Sequence, residues 1–281
     1  MENTEHYENL HKEDRATANY IEVKEREHKL KIVSDCLPRY TGMPLQEFSK
    51  FILLTNFFNY IEVFAQKYNG KIYGQGKMMQ ACTANGITII NIGMGSPNAS
   101  LIMDLLIAVN PNAVLFLGKC GGIRNTQLGD FIIPIGGIRG TSVCYEYNIP
   151  DNVPCFPYLE INRYVADVLD NNEVAYKTGT IFTTARRIWE HNESFKDKLI
   201  ESRAIGVDME TATLFTVGYH NKIPNAALLL VSDLPMTPEG VKTEKSDLHI
   251  TKNFVEVHIT SGVDIMTKIM EDGGIKKHSI F

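Results

Sequence analysis

The amino-acid sequence predicts a single α/β domain with a mixed central β-sheet that carries helices on both faces. Three observations support this fold class. Short apolar runs alternate with helix-length amphipathic segments through the middle of the chain, as in strands that are joined by crossover helices. Glycine-rich turns follow two of the apolar runs. The chain has 281 residues, 44% of them apolar, which is enough to bury one large core.

The elements are predicted from apolar periodicity and turn residues. Residues 1–30 are rich in charged side chains and are predicted to form an N-terminal arm, mobile or docked on a partner, whereas residues 31–281 are predicted to form the folded domain. The segment 45–68 is predicted to contain two short helical pieces around a turn. Strands are predicted at residues 87–92, 113–117, 131–135, 179–183, 204–207 and 226–231. Helices are predicted at residues 98–109, 158–170, 208–220 and 247–270.

Composition excludes several classes of protein. A formal net charge of -5 argues against a nucleic-acid-binding surface, which needs a basic face. No apolar run approaches the roughly 20 residues that span a bilayer, and the N-terminus lacks the apolar stretch of a secretory signal. The five cysteines include no C-x-x-C pair and indicate reduced thiols. We therefore expect a cytoplasmic protein that binds neither nucleic acid nor membranes.

Two acidic turns are the strongest indication of function. Glu210, in the sequence GVDMETA, and Asp233, in LVSD, each follow a short apolar run. Because the carboxyl ends of parallel strands meet at one edge of a sheet, both carboxyl groups could lie there. Either residue alone could serve only a helix dipole or a turn. Together, and beside two glycine-rich strand ends, they favour an acid/base site.

The glycine turns differ in how strongly they indicate a ligand. Residues 93–97, GMGSP, could hold an anion or a sugar hydroxyl on backbone amides, or could be a tight turn only. Asn98 stands where the dinucleotide fingerprint requires glycine. In residues 118–122, GKCGG, the glycines permit close approach of a ligand, and Lys119 after an apolar run favours a functional role.

Metal and covalent chemistry have little support in the sequence. The eight histidines are scattered without ligand spacing, so we expect no metal and no cofactor. Cys120 has no histidine near it in sequence and is interpreted as a buried thiol. Arg186 and Arg187, close to Trp189, could bind a phosphate and stack a base, or form a surface basic pair beside a core tryptophan.

Taken in order, these segments resemble the nucleoside phosphorylase and nucleosidase superfamily, and within it the AMP nucleosidases most closely. The superfamily pattern is carried by residues 93–95, 118–122, 207–210 and 231–233. The narrower pattern is carried by residues 37–42, 54–57, 178–180, 183–184, Arg187 with Trp189, and 208–213. The resemblance extends from about residue 37 to residue 247. It implies a phosphorylase-type fold, a homo-oligomer arranged as a hexamer (a trimer of dimers), and a catalytic domain with a short arm.

The reaction that the resemblance implies is hydrolysis of AMP to adenine and ribose 5-phosphate. Cleavage of the N-glycosidic bond builds positive charge on the sugar and negative charge on the purine, so an acid must reach the base. By position, Asp233 is that acid and protonates N7, which requires a raised pKa. Glu210 and Met209 match the residues that hold and pack the ribose, and Trp189 is a candidate for the base-side wall.

The remaining implied contacts concern the backbone and the phosphate. Gly95 and Gly121 are expected to contact the substrate. Lys119 stands where phosphorylases commonly use a serine for inorganic phosphate, which weakens the case for phosphorolysis. The 5'-phosphate needs cationic partners. The candidates are Arg39, Lys119, Arg187 and Lys242, and a neighbouring subunit could supply others.

Two alternatives remain open from the sequence. One is a purine nucleoside phosphorylase or a nucleosidase for unphosphorylated nucleosides, which would be indifferent to a 5'-phosphate. The other is a nucleotide sensor that has lost turnover. The presence of both Glu210 and Asp233 argues against the sensor, because a sensor has no need of a proton donor.

Overall fold

A computed structural model describes residues 24–237 and 240–275. Residues 24–41 form helix α1. The other helices are α2 (Phe58–Tyr68), α3 (Ser96–Leu105), α4 (Leu159–Asn171), α5 (Glu193–Glu201), α6 (Thr211–His220) and α7 (Glu244–Glu271). The strands are β1 (Phe51–Thr55), β2 (Lys71–Tyr73), β3 (Ala81–Ala84), β4 (Ile87–Asn91), β5 (Ala113–Gly122), β6 (Phe131–Gly140), β7 (Tyr176–Thr184), β8 (Gly206–Asp208) and β9 (Asn225–Asp233).

The nine strands form one mixed sheet in the order β2-β3-β4-β1-β5-β8-β7-β6-β9. An additional parallel pairing joins β9 to β5, so the strands β5, β8, β7, β6 and β9 close into a ring. The strands β4 and β1 pair in parallel and extend the sheet beyond the ring from β5, and the antiparallel strands β3 and β2 complete its edge. This closure brings the ends of β5, β8 and β9 together.

The hydrophobic core occupies both faces of the sheet, as predicted for this fold class. On β5, Val114 and Phe116 pack into one buried cluster, whereas Leu115 and Leu117 pack into another. The alternation follows from the two-residue period of a strand, which sends successive side chains to opposite faces. Helices α3 and α6 contribute to the first cluster, and α2, α4 and α7 to the second.

The prediction for residues 45–68 is wrong in its first half. Residues Phe51–Thr55 form the parallel strand β1, and only Phe58–Tyr68 is an α-helix, preceded by a short 3-10 turn at Leu45–Glu47. In β1, Ile52 packs on one face of the sheet and Leu53 on the other, so apolar side chains are needed at successive positions. A continuously apolar segment of this kind fits helical and strand spacing equally well.

The other predicted strands and helices are confirmed with shifted ends. The strands β5, β6 and β7 run further than predicted, and α3 begins at Ser96 with Pro97 in its first turn. The hairpin β2–β3 and the helices α1 and α5 lie outside the predicted elements. Residues 1–23 of the predicted N-terminal arm lie outside the described residues, whereas residues 24–30 belong to α1. None of the helices in the described part of the chain is both long and apolar enough to cross a membrane.

Candidate active site

Strand pairing brings the two acidic turns to the end of β5. Gly121 pairs with Val207 on β8 and with Asp233 on β9, next to an irregularity in the β5–β9 register. A side chain at Gly121 would meet Pro235, since an added Cβ would lie 2.8 Å from the proline Cγ. Glycine therefore allows the two turns to approach β5 closely. The two carboxylate-bearing turns thus meet at one edge of the sheet, as predicted, but the parallel arrangement behind that prediction is wrong for β8, which runs antiparallel to β5.

A cavity at this edge collects most of the residues predicted for the site. Its lining comprises Asn56, Phe57, Met94, Lys119, Cys120, Gly121, Thr184, Arg186, Arg187, Trp189, Glu190, Val207, Asp208, Met209, Glu210, Ser232, Asp233 and Lys242. Among the predicted residues, only Gly95 and Arg39 are not part of this lining. The cavity thus combines carboxyl groups, cations and two aromatic side chains within one chain.

Glu210 is held by backbone donors at the start of α6. It is the N-cap residue of that helix and is only 2% exposed. The Gly95 amide donates to Glu210 Oε1 at 2.6 Å, and the Met209 amide donates to Oε2 at 3.3 Å. Burial, together with the charge of Asp208, raises the pKa of Glu210 to about 8. One oxygen of Glu210 thus fixes the glycine turn, and the carboxyl group lies at the cavity wall.

Gly95 contributes a backbone conformation that few other residues adopt. Its φ of 95° lies in the left-handed region, and its amide contacts Glu210 rather than open solvent. The turn that precedes α3 is therefore tied to the turn that precedes α6. Ser96 reinforces the link, because its hydroxyl donates to the Met209 carbonyl at 2.9 Å.

Asp208 is a structural carboxylate that supports the acidic turn. Its Oδ1 accepts from the Thr183 hydroxyl at 2.7 Å, and its Oδ2 accepts from the Thr211 amide at 2.9 Å and the Thr211 hydroxyl at 2.5 Å. Thr183 also accepts from the Ala212 amide at 2.9 Å, which joins β7 to α6. Burial raises the pKa of Asp208 despite these donors. The network fixes the position of the neighbouring Glu210.

Asp233 has fewer partners than Glu210. It ends β9, is 9% exposed, and its Oδ1 accepts from the Ser232 hydroxyl at 2.6 Å. Burial raises its pKa, although the Ser232 hydrogen bond and the charges of Lys242 and Arg187 act in the opposite direction. A buried carboxyl group with a raised pKa at a cavity wall is suited to donate a proton.

Four cationic residues line the cavity; Arg186 lies over the Phe195 ring, 5.9 Å from its centre, and the other three fall into two groups. Lys119 and Lys242 both form ion pairs with Asp247 of α7, and their ammonium groups lie 4.3 and 5.6 Å from the centre of the Phe57 ring. Arg187 is half-exposed and pairs with Glu190 at 3.2 Å. Lys119 and Lys242 are therefore neighbours, whereas Arg187 already has a carboxylate partner of its own.

Trp189 and Arg39, both candidates for contact with the substrate, differ in their position relative to the cavity. Trp189 lines the cavity but is only 4% exposed, and it packs in a cluster with Phe182 and Leu199, so most of the indole is core. Arg39 lies on α1, outside the cavity, where its Nε contacts Asp35 at 2.9 Å. The cavity of a single chain therefore does not include Arg39, because α1 directs it to the surface beside Asp35.

Three residues of the site were given no individual role from the sequence, although residues 54–57 belong to the family pattern. Asn56 and Phe57 line the cavity directly after β1, and the Asn56 side chain acts to lower the pKa of Glu210. The signal was their place after a strand, which the helical interpretation of residues 45–68 concealed. Asp247 carried no such signal, because its role depends on how α7 packs.

The cavity lining includes one cysteine, Cys120. Cys120 is 3% exposed, and burial raises its pKa well above the ordinary value, which agrees with a buried thiol. Among residues 24–237 and 240–275, no group of three or more histidine, cysteine, aspartate or glutamate side chains is placed to hold a metal ion.

The sequence matches the family described as the phosphorylase superfamily over residues 40–259. An AMP nucleosidase of Escherichia coli (strain K12) is 27% identical over 84% of this chain, which spans 58% of that relative's length. The crystal structure of an AMP nucleosidase from Bacteroides thetaiotaomicron VPI-5482 is 48% identical, with a TM-score of 0.77, and the match covers 87% of this chain and 99% of that one. A uridine phosphorylase structure from Vibrio fischeri ES114 shares the fold, with 19% identity, a TM-score of 0.71, and coverage of 80% and 94%.

Proposed function

The chain belongs to the phosphorylase superfamily, and from this premise we propose that it hydrolyses the N-glycosidic bond of AMP to give adenine and ribose 5-phosphate. One observation carries the proposal: a single cavity is lined by a buried acid, Asp233, and by two neighbouring cations, Lys119 and Lys242. The acid can protonate the purine as it departs, and the cations can bind a phosphate group. The AMP nucleosidase relatives from two organisms support the same substrate.

In the proposed mechanism, the proton moves from Asp233 to N7 of adenine as the N-glycosidic bond breaks. The bonding electrons leave with the purine, and protonation neutralises the charge that develops there. The raised pKa of Asp233 supports this role, since the group must carry its proton into the reaction. Water supplies the oxygen that replaces the base at C1' of the sugar, and the proton that this water loses balances the one given to the purine, so that Asp233 can return to its acid form.

Glu210 is proposed to hold the ribose. Its carboxyl group accepts hydrogen bonds from the sugar hydroxyls, and Met209 packs against the ring. The amides of Gly95 and Met209 support this role because they fix the orientation of the carboxyl group. Gly121 offers close backbone approach, and Trp189 forms part of the wall on the base side.

Phosphorolysis is the alternative reaction within the superfamily. The structure offers Lys119, beside the Phe57 ring and Asp247, at the position where phosphorylases commonly use a serine for inorganic phosphate. This difference favours water over inorganic phosphate as the second substrate.

The decisive experiment supplies AMP or adenosine, each with and without inorganic phosphate, and identifies the sugar product. We expect ribose 5-phosphate from AMP at a rate that does not require inorganic phosphate, and slower turnover of adenosine. Formation of ribose 1-phosphate, or faster turnover of adenosine than of AMP, would contradict the proposal. Binding of AMP without any release of adenine would instead indicate a sensor.

We also propose that the protein acts in the cytoplasm as a homohexamer, a trimer of dimers, without a cofactor. The negative net charge and the reduced cysteines support the compartment. Exposed apolar side chains on the described surface, among them Phe156 and Leu159, support association with further copies. A neighbouring copy could then supply Arg39 or another cation to the site.

A further inference from the structure

Lys119 and Lys242 share one carboxylate oxygen. Asp247 Oδ1 lies 3.3 Å from Lys119 Nζ and 2.9 Å from Lys242 Nζ. Lys119 also contacts the hydroxyl of Thr251 at 3.4 Å. Both lysines line the active-site cavity, whereas Asp247 and Thr251, one turn apart on α7, do not. The helix therefore contacts the ammonium groups from behind and leaves their cavity side open.

Burial makes this arrangement difficult to maintain without Asp247. The side chain of Lys119 is only 3% exposed and that of Lys242 is 20% exposed, so two like charges lie close together with little solvent between them. Burial of a cation is costly unless a carboxylate or an aromatic face compensates it. Asp247 provides the carboxylate, and Phe57 provides the face for both cations.

The charges leave a site that is suited to an anion. Two ammonium groups and one carboxylate carry a net charge of about +1, and each ammonium group has three donors, of which Asp247 occupies one. The contacts of Lys119 at 3.3 and 3.4 Å are longer than a close charge-assisted hydrogen bond. Lys119 is therefore held in place but can still donate to an anion in the cavity.

A purely structural ion pair is the competing interpretation. Asp247 is 40% exposed, and ion pairs near the surface contribute little to stability. That interpretation does not account for a second lysine on the same oxygen, nor for the position of both cations at the cavity wall. Lys67 and Glu256 form a surface ion pair at 2.7 Å that also involves α7. This pair lies outside the cavity and is an example of a purely structural contact.

We propose that Asp247 is a positioning residue that holds Lys119 and Lys242 as a paired site for the 5'-phosphate, and thereby sets the preference for a nucleotide over a nucleoside. The identity of the anion rests on the proposed function. Asp247 acts through the lysines and does not itself contact the substrate, because it lies outside the cavity lining.

The pH dependence of AMP hydrolysis can test this role, because it would not change if Asp247 only stabilised the fold. Burial lowers the pKa of Lys119, as does Lys242, whereas Asp247 and, more weakly, Asp233 raise it. Loss of the Asp247 charge therefore lowers the pKa of Lys119 further, so that Lys119 loses its proton at a lower pH. The alkaline limit of kcat/KM for AMP should move in the same direction.

The test compares Asp247→Asn with Glu256→Gln, which neutralises a lysine-paired carboxylate elsewhere on α7. Steady-state kinetics with AMP and adenosine are measured from neutral to alkaline pH. For D247N we expect the ratio of kcat/KM for AMP to that for adenosine to fall about tenfold, mainly through KM for AMP. We also expect the alkaline limit for AMP to shift to lower pH, with partial recovery in Asp247→Glu. E256Q should keep the wild-type ratio and pH profile.

Three results would overturn the proposal. A wild-type ratio and pH profile in D247N would show that the lysines need no positioning by Asp247. A lower KM for AMP in D247N would show that the carboxylate competes with the phosphate. The third result applies if the wild-type protein does not hydrolyse AMP, in which case the proposed function fails but the anion site can still be tested. The anion site is then tested by calorimetric titration with inorganic phosphate, where unchanged affinity in D247N would contradict it.

Discussion

Asp233 and Glu210 are both buried at the cavity wall, yet different donors face their carboxyl groups. Two backbone amides, from Gly95 and Met209, point at Glu210, whereas Asp233 receives one hydroxyl hydrogen bond from Ser232. Backbone donors fix an oxygen in place, and this suits a group that holds a sugar. A carboxyl group with one small partner keeps an oxygen available for a proton, as an acid requires.

The substitution Asp233→Asn tests the role of this residue as the acid. An amide would keep the size of the side chain but could not deliver a proton, so we expect kcat for AMP hydrolysis to fall by about 10²–10⁴-fold. The Kd for AMP should change little, as measured by calorimetry. Asp130→Asn, at a carboxylate paired with Lys177 outside the cavity, is the matched control. A wild-type kcat in D233N would mean that another group donates the proton.

At the scale of elements, the sequence was most informative where an apolar run ends at a conspicuous turn. The strands β5, β8 and β9 end in GKCGG, DME and SD, and the residues of these turns that were assigned to the site line the cavity. The strand β1 was missed because the side chains on both of its faces pack into the core, which removes the alternation that marks a strand.

Contacts between distant elements were beyond prediction from sequence. Asp247 meets Lys119 only because α7 packs against β5, and nothing in the local sequence around either residue encodes that contact. Arg39 shows the opposite case, in which the sequence indicated a site residue but the fold places it elsewhere. It belongs to a segment that resembles the family, but the orientation of α1 places it on the surface of the chain.

His258 anchors α7 and provides a prediction about acid stability. Since the Leu228 carbonyl can only accept, His258 Nε2 donates to it at 2.9 Å, and Nδ1 accepts from the Tyr60 hydroxyl at 2.9 Å. Burial lowers the pKa of His258 from 6.5 to about 3. Between these values the unfolded chain binds a proton that the folded chain does not. The stability associated with neutral His258 is therefore complete above about pH 6.5 and is lost as the pH falls towards 3.

Denaturant unfolding at several pH values measures this effect. The histidine should reduce the free energy of unfolding by up to about 1.4 kcal/mol per pH unit within that window. His258→Gln should be less stable at neutral pH, because it disturbs both hydrogen bonds, but its stability should depend less on pH. His249→Gln, at an exposed position on the same helix, should keep the wild-type dependence. Equal pH dependence in H258Q and the wild type would contradict the role of His258.

At the scale of the whole molecule, the closed ring of strands makes the site a property of the complete sheet. The strands β5, β8 and β9 meet because β5 pairs with both β8 and β9, and the pairing of β6 with β9 closes the ring. The cavity also draws on the residues after β1 and on the segment before α7, so its lining comes from both halves of the chain. A single chain nevertheless leaves apolar surface exposed: Phe156 is 63% exposed, Leu159 is 65% exposed and Tyr219 is 56% exposed.

These exposed side chains give the last prediction, that copies of the chain associate through this surface. Phe156 and Tyr219 line a second, apolar cavity, and Leu159 follows in the chain. Exposed apolar patches of this kind commonly mark protein interfaces. Light scattering should give the mass of a hexamer for the wild type and a smaller species for Phe156→Asp. Ile72→Asp, on the edge strand β2, is the matched control and should keep the wild-type mass. A wild-type monomer, or an F156D variant that remains hexameric, would rule out this surface as the interface.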